Sequence, residues 1–415
     1  MCGFIFIFNK SKNQMSSKKI NYISGFLKHR GPDDKQIFSN NEISTVFFRL
    51  SIRDISNKGR QPYISKSKRY IMCFNGEIYN VENLKKKLKN KNFQGTSDTE
   101  VLAQSFDELG LKSIEYIEGM FSIILYDFHK KIFYAIRDRL GIKPLYYTED
   151  DNHFIFSSEI KPLIVYSNKN KTLNQISLRD FFLKGYLSHN QNTFFRNINS
   201  IEPGHLMIYS KNIKIKKYFE IIEPKEKKIT AQNLNNKIYN TVSKHLISDR
   251  KIGLFLSGGT DSKALAKYIY SKLNTNFTTF TYDFQDFEGE TFKAKQISKE
   301  LNIKNYNTIV TPNYIIENFD KLIKKVEMPI TSIRLFGINK LYEIAKKNNI
   351  NVILEGHGGD EMLGGYEYNY YPYLMDFFNN NKKLVKKYIL KSFSRTILQN
   401  YQRSFTNQGL STSDG

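Results

Sequence analysis

The chain has 415 residues, of which 40% are apolar, so it is too long for one ordinary core and can fill two domains. It contains no run of about eighteen apolar residues and no basic segment before its apolar start, so we expect a soluble, cytoplasmic protein without a membrane partner. The net charge of +23 would suit a nucleic-acid binder, but the lysines are scattered and no nucleic-acid motif accompanies them. We therefore expect no nucleic-acid partner.

The first part of the chain is predicted to be rich in strands. Short segments of Ile, Phe, Tyr and Val recur between turn signals, which indicates a first domain over residues 1–210. The predicted strands are 3–8, 46–52, 70–74, 121–127, 132–136 and 154–156. One helix is predicted from Asp98 to Leu109, with Thr96, Ser97 or Asp98 as its cap, and another after Ser17.

The pattern changes around residues 201–230, where Glu-Pro-Gly and a lysine-rich stretch predict a linker. A second domain is predicted over 228–415, because helical and strand patterns then alternate. An amphipathic helix is expected around 234–246, strands at 252–256, 277–282 and 351–354, and helices at about 291–301 and 335–348. This alternation favours an α/β domain built on a doubly wound parallel sheet.

Cys2 and Cys73 are too few for a disulfide framework and lack metal-ligand spacing. If Met1 is removed, Cys2 carries a thiol beside a free α-amine, which is a nucleophile with its own base. An α-amine with a pKa of about 7.7–8.0 can accept a thiol proton at neutral pH. Taken alone, a cysteine in a strand is more often a small apolar residue than a nucleophile.

Several motifs bear on Cys2 and occur in this order: Met1-Cys2-Gly3, His29-Arg30-Gly31-Pro32-Asp33, Arg49-Leu50-Ser51-Ile52, Asn75-Gly76-Glu77-Ile78-Tyr79-Asn80 and Ser97-Asp98-Thr99-Glu100. Together they resemble the motifs of class II glutamine amidotransferases. Further stretches are similar to the same domain in the asparagine synthetase family: Gly119-Met120-Phe121, 137–147 and Ser158-Glu159-Ile160-Lys161. The resemblance spans the first domain. It implies an N-terminal nucleophile hydrolase-type fold, an αββα sandwich, with Cys2 as the catalytic nucleophile.

The resemblance also implies a glutamine pocket, lined by Arg49, Leu50, Ser51, Ile52, Arg53, Asn75, Gly76, Glu77 and Asp98. Arg49 would bind the carboxylate of glutamine and Asp98 its ammonium. The Asn75 side chain and the Gly76 N–H would stabilise the oxyanion of the reaction. Without the surrounding motifs, the alternative interpretations would be a surface ion pair for Arg49 and a hairpin turn for Asn75-Gly76.

The second domain carries Leu256-Ser257-Gly258-Gly259-Thr260-Asp261-Ser262 between a predicted strand and a predicted helix. Backbone N–H groups at a helix N-terminus favour phosphate, although an ordinary strand-to-helix turn is the alternative. The run resembles the PP-loop of ATP pyrophosphatases, which cleave ATP between the α- and β-phosphates. We therefore expect ATP at Ser257, Gly258, Gly259, Asp261 and Ser262.

The same resemblance implies that the backbone at Phe255, Tyr282, Glu355 and Gly356 holds the adenosine part of ATP. Phe255 and Tyr282 are bulkier than the aliphatic residues typical there, and the alternative is that they are buried strand residues. Asp261 and Asp360 are expected to bind Mg²⁺, which prefers one or two carboxylates completed by phosphate oxygens and water.

Two stretches bear on the acceptor. Thr331-Ser332-Ile333-Arg334 is similar to a stretch that helps bind aspartate in asparagine synthetases, and Arg334 could pair with an acceptor carboxylate. His357, however, stands where the family carries a glutamate needed to form the acyl-adenylate. A neutral histidine accepts a proton but differs in charge and geometry, which favours a different acceptor, although Glu355 could compensate.

The sequence therefore predicts a glutamine-dependent ligase of the asparagine synthetase family, with ATP and Mg²⁺ as cofactors and glutamine, ATP and aspartate as small-molecule substrates. One alternative is amidation of another carboxylate such as a sugar acid; another is a glutaminase with a non-functional ligase half. The chain stops at Ser413-Asp414-Gly415, before later stretches of the family, so an incomplete synthetase domain is expected. The oligomeric state is left open, with a homodimer as one option.

Overall fold

The structure, a computed structural model, describes residues 1–11, 14–221, 229–287, 289–363 and 365–366. Among these residues, no helix combines the length and apolar character needed to cross a membrane. The chain packs as a large unit, 1–259 with 263–354, and a small unit that contains 260–262 and resumes at 355.

The first domain contains two mainly antiparallel sheets, ordered β10-β8-β9-β1-β3-β2 and β12-β11-β7-β6-β5-β4 over the described residues. Their strands are β1 (Gly3–Asn9), β2 (Asp34–Ser39), β3 (Ile43–Arg49), β4 (Tyr63–Ile64), β5 (Tyr70–Ile78), β6 (Gly119–Asp127), β7 (Ile132–Arg137), β8 (Tyr146–Glu149), β9 (His153–Ser157), β10 (Asn199–Ser200), β11 (His205–Tyr209) and β12 (Ile213–Lys217). The helices are α1 (Ser17–Gly25), α2 (Val81–Lys87), α3 (Asp98–Leu109), α4 (Ser113–Tyr116), α5 (Lys161–Tyr166) and α6 (Gln175–Lys184).

Side-chain alternation explains how these sheets stack. Phe4 and Phe6 of β1 share one buried cluster with Ile71 and Cys73 of β5, so the two sheets face each other across it. The opposite face of β5 packs on α2 and α3, and the opposite face of β1 packs on α1 and α5. The layers are therefore helix, sheet, sheet and helix, which confirms the predicted αββα sandwich.

The six predicted strands and both predicted helices are present, and the helix Asp98–Leu109 has the predicted bounds with Ser97 as its cap. The predicted linker around 201–230 is partly wrong, because β11 and β12 lie inside it and extend the sheet to Lys217. Strand β12 is an exposed edge strand with alternating Lys residues, so it lacks the apolar pattern of the others.

The second domain holds a parallel sheet ordered β15-β14-β13-β16 among the described residues. Its strands are β13 (Ile252–Phe255), β14 (Thr278–Phe284), β15 (Lys304–Val310) and β16 (Val352–Leu354). Its helices are α7 (Ala231–His245), α8 (Thr260–Leu273), α9 (Glu290–Glu300), α10 (Pro312–Val326), α11 (Arg334–Lys347) and, in the small unit, α12 (Gly359–Leu363).

Helices cover both faces of this sheet. Ile269 of α8 and Ile297 of α9 pack in one cluster with β13, while Leu341 of α11 packs with Phe280 on another. The parallel, doubly wound sheet is thus confirmed. The strand order reverses between β13 and β16, and in such sheets ligands bind at the carboxyl ends of the strands beside this reversal.

Candidate functional site

Cys2 lies one residue before β1, at the end of the sandwich core. Its Sγ is 3.4 Å from the Leu50 N–H, which donates to it, and 3.6 Å from the Leu50 carbonyl. Burial raises the pKa of the Cys2 thiol, whereas burial lowers the pKa of the Met1 α-amine to about 6. Met1 is present here, so the amine belongs to Met1, and the Cys2 amine becomes free only when Met1 is removed.

Arg49 ends β3 and is buried, with 6% of its surface exposed. Its guanidinium donates to the Ser56 carbonyl at 2.7 Å and to the Asp54 carbonyl. The alternative of a surface ion pair is therefore excluded. Arg49 instead supports the loop that follows β3, and these two bonds leave donors of the guanidinium over for a further partner.

Asn75 and Gly76 lie within β5 rather than in a hairpin turn, which excludes the other alternative. The Asn75 side chain is buried, and its Nδ2 is without a hydrogen-bond partner among the described residues. A buried amide donor left without a partner is costly, so this atom is a candidate for holding a ligand oxygen. A Cβ at Gly76 would lie 2.1 Å from the Met120 carbonyl oxygen, so the packing of β6 already requires glycine there.

The carboxylates of half-buried Glu77 and buried Asp98 lie close together at the end of β5. Asp98 accepts a hydrogen bond from the Ile78 N–H at 2.9 Å, and Arg53 donates to the Ile78 carbonyl at 2.9 Å. Burial and the neighbouring Asp98 raise the pKa of Glu77 to about 8, and burial raises the pKa of Asp98. Arg53 opposes both shifts. A ligand ammonium bound beside this pair would oppose both rises in pKa and favour the charged carboxylates.

Other groups close to Cys2 were not predicted as site residues. Arg30 donates from Nε to the Cys2 carbonyl at 2.9 Å and from Nη1 to Glu159 at 2.8 Å. Lys143 is buried, and its Nζ lies 3.2 Å from the Met1 Sδ. Burial, then the Arg30 charge, lowers the pKa of Lys143. Arg30, Lys143 and Glu159 all occur inside motifs quoted in the sequence analysis. Their contacts, however, are visible only in the folded chain.

The phosphate loop prediction falls between β13 and α8. Ser257 Oγ accepts from the Gly259 N–H at 3.2 Å, and Gly259 is the N-cap residue directly before α8. A Cβ at Gly258 would come 2.6 Å from the Lys293 side chain. The loop is therefore a glycine turn that leads into a helix beside the strand-order reversal. This geometry fits both alternatives, the phosphate site and the ordinary strand-to-helix turn.

Phe255 and Tyr282, two of the four predicted adenosine residues, are half-buried members of the sheet, whereas Glu355 and Gly356 directly follow β16. Phe255 packs its ring against Tyr342, with centroids 5.1 Å apart, and Tyr282 packs against Phe284 and Gly337. The side chains thus serve the core, and only their backbone atoms are left for a nucleotide.

In the small unit, Asp261 meets the segment that carries Asp360. A Cβ built on Gly359 would lie 2.4 Å from Asp261 Oδ2, so glycine is needed for this approach. His357 is 80% exposed, and its Nδ1 is 2.6 Å from Glu355 Oε2. His357, the residue that departs from the family pattern, is therefore paired with the Glu355 carboxylate.

The predicted acceptor stretch precedes and begins α11. Thr331 and Arg334 are exposed, and Ser332 Oγ accepts from the Arg334 N–H at 3.2 Å. The Arg334 charge opposes the rise in the pKa of Tyr282, which burial and then Glu290 cause. Arg334 thus presents its charge at the start of a helix, close to Tyr282.

A cavity of about 460 Å³ lies away from the predicted residues, with Arg137, Tyr146 and Met328 in its wall. The Arg137 guanidinium is used within that wall, because it donates to four acceptors: Lys143 O, Ser200 Oγ, Ile201 O and Gly141 O. This arginine therefore stabilises the wall rather than offering a binding charge.

Two family models match different parts of the chain. Residues 1–219 match the family model described as a glutamine amidotransferase domain, and residues 233–409 match the one described as asparagine synthase.

Three curated relatives are similar over most of the chain. Asparagine synthetase (glutamine-hydrolyzing) 2 of Bacillus subtilis is 32% identical, with 88% of this chain and 52% of that protein covered. Asparagine synthetase (glutamine-hydrolyzing) 1 of the same species is 30% identical, with 94% and 63% covered. Putative asparagine synthetase (glutamine-hydrolyzing) 2 of Methanocaldococcus jannaschii is 30% identical, with 93% and 79% covered. The chain thus spans about half the length of the first relative and less than two thirds of the second.

Proposed function

The chain belongs to the glutamine-hydrolysing asparagine synthetase family, and from this membership we propose that it makes an amide from glutamine nitrogen and an ATP-activated carboxylate. Glutamine would be hydrolysed at Cys2, and the ammonia would attack an acyl-adenylate formed in the second domain. With aspartate as acceptor, the products are asparagine, glutamate, AMP and pyrophosphate.

The observation that carries the proposal is the set of groups around Cys2. Arg49 and Glu77 both lie close enough to act on the charge of the Cys2 thiol. Arg49 offers donors to the carboxylate of glutamine, and the Glu77 and Asp98 carboxylates suit its ammonium. A zwitterionic amino acid would thus be held at both charged ends, with its side-chain amide directed to the thiol.

The chemical step follows from the same groups. With Met1 removed, the Cys2 amine accepts the thiol proton, and Sγ forms a bond to the amide carbon of glutamine. Asn75 Nδ2, which has no hydrogen-bond partner in the described part of the chain, donates to the oxygen on which negative charge develops. The amine then gives its proton to the leaving nitrogen, the C–N bond breaks and ammonia departs. Water cleaves the resulting thioester to glutamate and regenerates the thiol.

The second domain supports the ATP half. The phosphate loop lies at the N-terminus of α8, where backbone N–H groups suit phosphate, and Ser257, Gly258, Gly259 and Ser262 are proposed to bind it. Asp261 and Asp360 fit Mg²⁺, because Gly359 lets the Asp261 carboxylate approach the segment that carries Asp360. When bound, Mg²⁺ would neutralise phosphate charge.

The acceptor is proposed to be aspartate, with Thr331, Ser332 and Arg334 around its side-chain carboxylate. Arg334 is exposed and has charge available for such a group. The His357–Glu355 pair favours a second candidate, because it places an imidazole where the family uses a carboxylate alone. In that case the acceptor is another carboxylate, such as a sugar acid.

The test uses a Cys2→Ala variant of the full chain. We expect it to lose glutamine-dependent amide synthesis and to retain synthesis from added ammonia, since ATP use does not need the thiol. AMP release with aspartate and with uronic acids distinguishes the two acceptors. Loss of both nitrogen sources in the variant would contradict two separate sites, and absence of asparagine from the unsubstituted chain would contradict aspartate.

A further inference from the structure

The loop that follows β3 is held by a residue far away in the chain. Arg250 donates from Nε to the Ser51 carbonyl at 2.9 Å and from Nη2 to Asp33 Oδ2 at 3.2 Å. The same Asp33 oxygen accepts from the Ser51 N–H at 2.8 Å. The Ser51 backbone is therefore hydrogen-bonded at both groups: its carbonyl accepts from Arg250, and its N–H donates to Asp33.

Asp249 grips the next part of this loop. Its N–H donates to the Ile52 carbonyl at 2.9 Å, and its Oδ2 accepts from the Asp54 N–H at 2.8 Å. Asp249 thus brackets the Arg53 backbone from both sides. We call Ser51–Asp54 the glutamine loop and Asp249 with Arg250 the clamp.

The shape of the glutamine loop sets the positions of both arginines of the proposed glutamine pocket. The Asp54 carbonyl accepts from Arg49, and the Arg53 side chain reaches the Ile78 carbonyl. Asp54 has a φ of 55°, which a non-glycine residue adopts only when its surroundings hold it there. Its carboxylate also accepts from the Thr96 N–H at 2.8 Å, close to Asp98 in sequence. A displaced loop would therefore misplace Arg49 and Arg53 together.

The clamp is also tied to the second domain. One residue, Lys251, separates Arg250 from β13, and β13 leads directly into the predicted phosphate loop. Ser248 fixes this segment locally, because its hydroxyl donates to the Arg250 carbonyl and accepts from the Arg250 N–H, both at 3.0 Å.

We propose that Asp249 and Arg250 are positioning residues for glutamine hydrolysis: they belong to the second domain, and they hold the glutamine loop in the shape that binds the substrate. The inference rests on the proposed function. It adds that the glutaminase half is incomplete without the segment that leads to the phosphate loop.

The test compares Arg250→Ala with Lys244→Ala in the full chain. Lys244 is a matched control, because it also joins the two domains, through Glu118 at 2.9 Å, but away from the glutamine loop. We expect Arg250→Ala to raise the KM for glutamine about tenfold with little change in kcat, since two hydrogen bonds to the loop and to Asp33 are lost. Arg250→Lys should restore part of the affinity, and Lys244→Ala should change neither constant.

Two thiol reagents separate positioning from a general disturbance. A diazoketone analogue of glutamine should inactivate Arg250→Ala about tenfold more slowly than the unsubstituted chain, because it needs the pocket. Iodoacetamide, which has no amino-acid head group, should react at an unchanged rate. An equal slowing of both reagents would overturn the proposal, as would an unchanged KM.

Hydrogen exchange tests the clamp without any enzyme activity. The Asp54 amide should exchange faster in Asp249→Ala, which removes its acceptor, and at an unchanged rate in Lys244→Ala. An unsubstituted chain that releases no glutamate from glutamine would count against the proposed function, while faster exchange would still support the clamp. Unchanged exchange at 51–54 in Asp249→Ala would overturn the clamp itself.

Discussion

The two domains hold their predicted site residues in different ways. In the sandwich, Arg49, Asn75 and Asp98 are all buried and lie on strands or at a helix start. In the parallel-sheet domain and the small unit, Thr331, Arg334 and His357 are exposed. A buried polar site must be built in advance, because the protein has to hold groups that water does not reach, whereas exposed groups are satisfied by water until a ligand arrives. The glutamine pocket is therefore preorganised to a greater degree.

The largest expected effect concerns the core that supports this preorganisation. Phe156 lies fully buried between the two sheets, in ring contact with Phe6, Phe133 and Phe154. Phe156→Ala should lower the free energy of unfolding by about 3–5 kcal/mol, because it leaves a cavity. Urea denaturation followed by circular dichroism measures this. Phe292→Ala is the control, since Phe292 is 66% exposed in the second domain and should cost almost nothing. Equal losses in the two variants would contradict the assigned core.

The next effect is on catalysis in the sandwich. Asn75→Ala removes the proposed oxyanion donor and should lower kcat for glutamine hydrolysis by about 10²–10³. Glutamate release measures this. Ammonia-dependent AMP release should be unchanged, because the donor belongs to the first domain. A fall in both activities would mean that the two sites are not separate.

The mirror experiment belongs to the second domain. Asp261→Asn removes a carboxylate proposed to hold Mg²⁺ and should lower ATP-dependent AMP release by about 10². Glutamate release should be retained. Titration with MgCl₂ gives the check, since the variant should need more Mg²⁺ for half-maximal activity. An unchanged Mg²⁺ requirement would remove Asp261 from the metal site.

The same contrast explains what could be predicted from sequence. Apolar alternation predicted the sandwich strands, but β5 was predicted to end at Phe74 and in fact continues to Ile78. The part of β5 that was not predicted begins with Asn75-Gly76-Glu77, which belongs to the proposed glutamine pocket. Its residue types suit ligand binding, so they break the apolar pattern by which a strand is predicted. In the second domain, β15 and α10 were missed: β15 carries polar and exposed residues, and its pattern is that of an edge strand.

The predicted pocket residues came from motifs in a fixed order, and geometry then added their partners. Asp249 and Arg250 could not have been found in this way, because they contact Ser51 and Asp54 across about two hundred residues of chain. Local patterns carry no information about such a contact. The position of His357 was visible in the sequence, but its pairing with Glu355 needed the structure.

The pH dependence of stability should also report the protonation of Glu77. Burial and Asp98 raise the pKa of Glu77 from 4.5 to about 8, so the folded state holds this proton more tightly than the unfolded state. The contribution of protonated Glu77 is complete below pH 4.5 and is lost as the pH rises through about 8. Glu77→Gln cannot deprotonate, so the variant does not undergo this loss of stability. Its stability relative to the unsubstituted chain should therefore rise with pH across that window in urea denaturation, and a constant difference would contradict the raised pKa.

The smallest effect compares two helix caps. Ser97 caps α3 by accepting from the Thr99 N–H at 3.2 Å, and Thr311 caps α10 by accepting from the Tyr314 N–H at 3.2 Å. Each should lose about 1 kcal/mol of stability when changed to Ala. Only Ser97→Ala should also raise the KM for glutamine, because α3 begins with Asp98 and the cap fixes that carboxylate against Ile78. Denaturation and glutamine kinetics on both variants measure this, and a KM that rises equally in Thr311→Ala would show that general stability, rather than local preorganisation, controls the glutamine pocket.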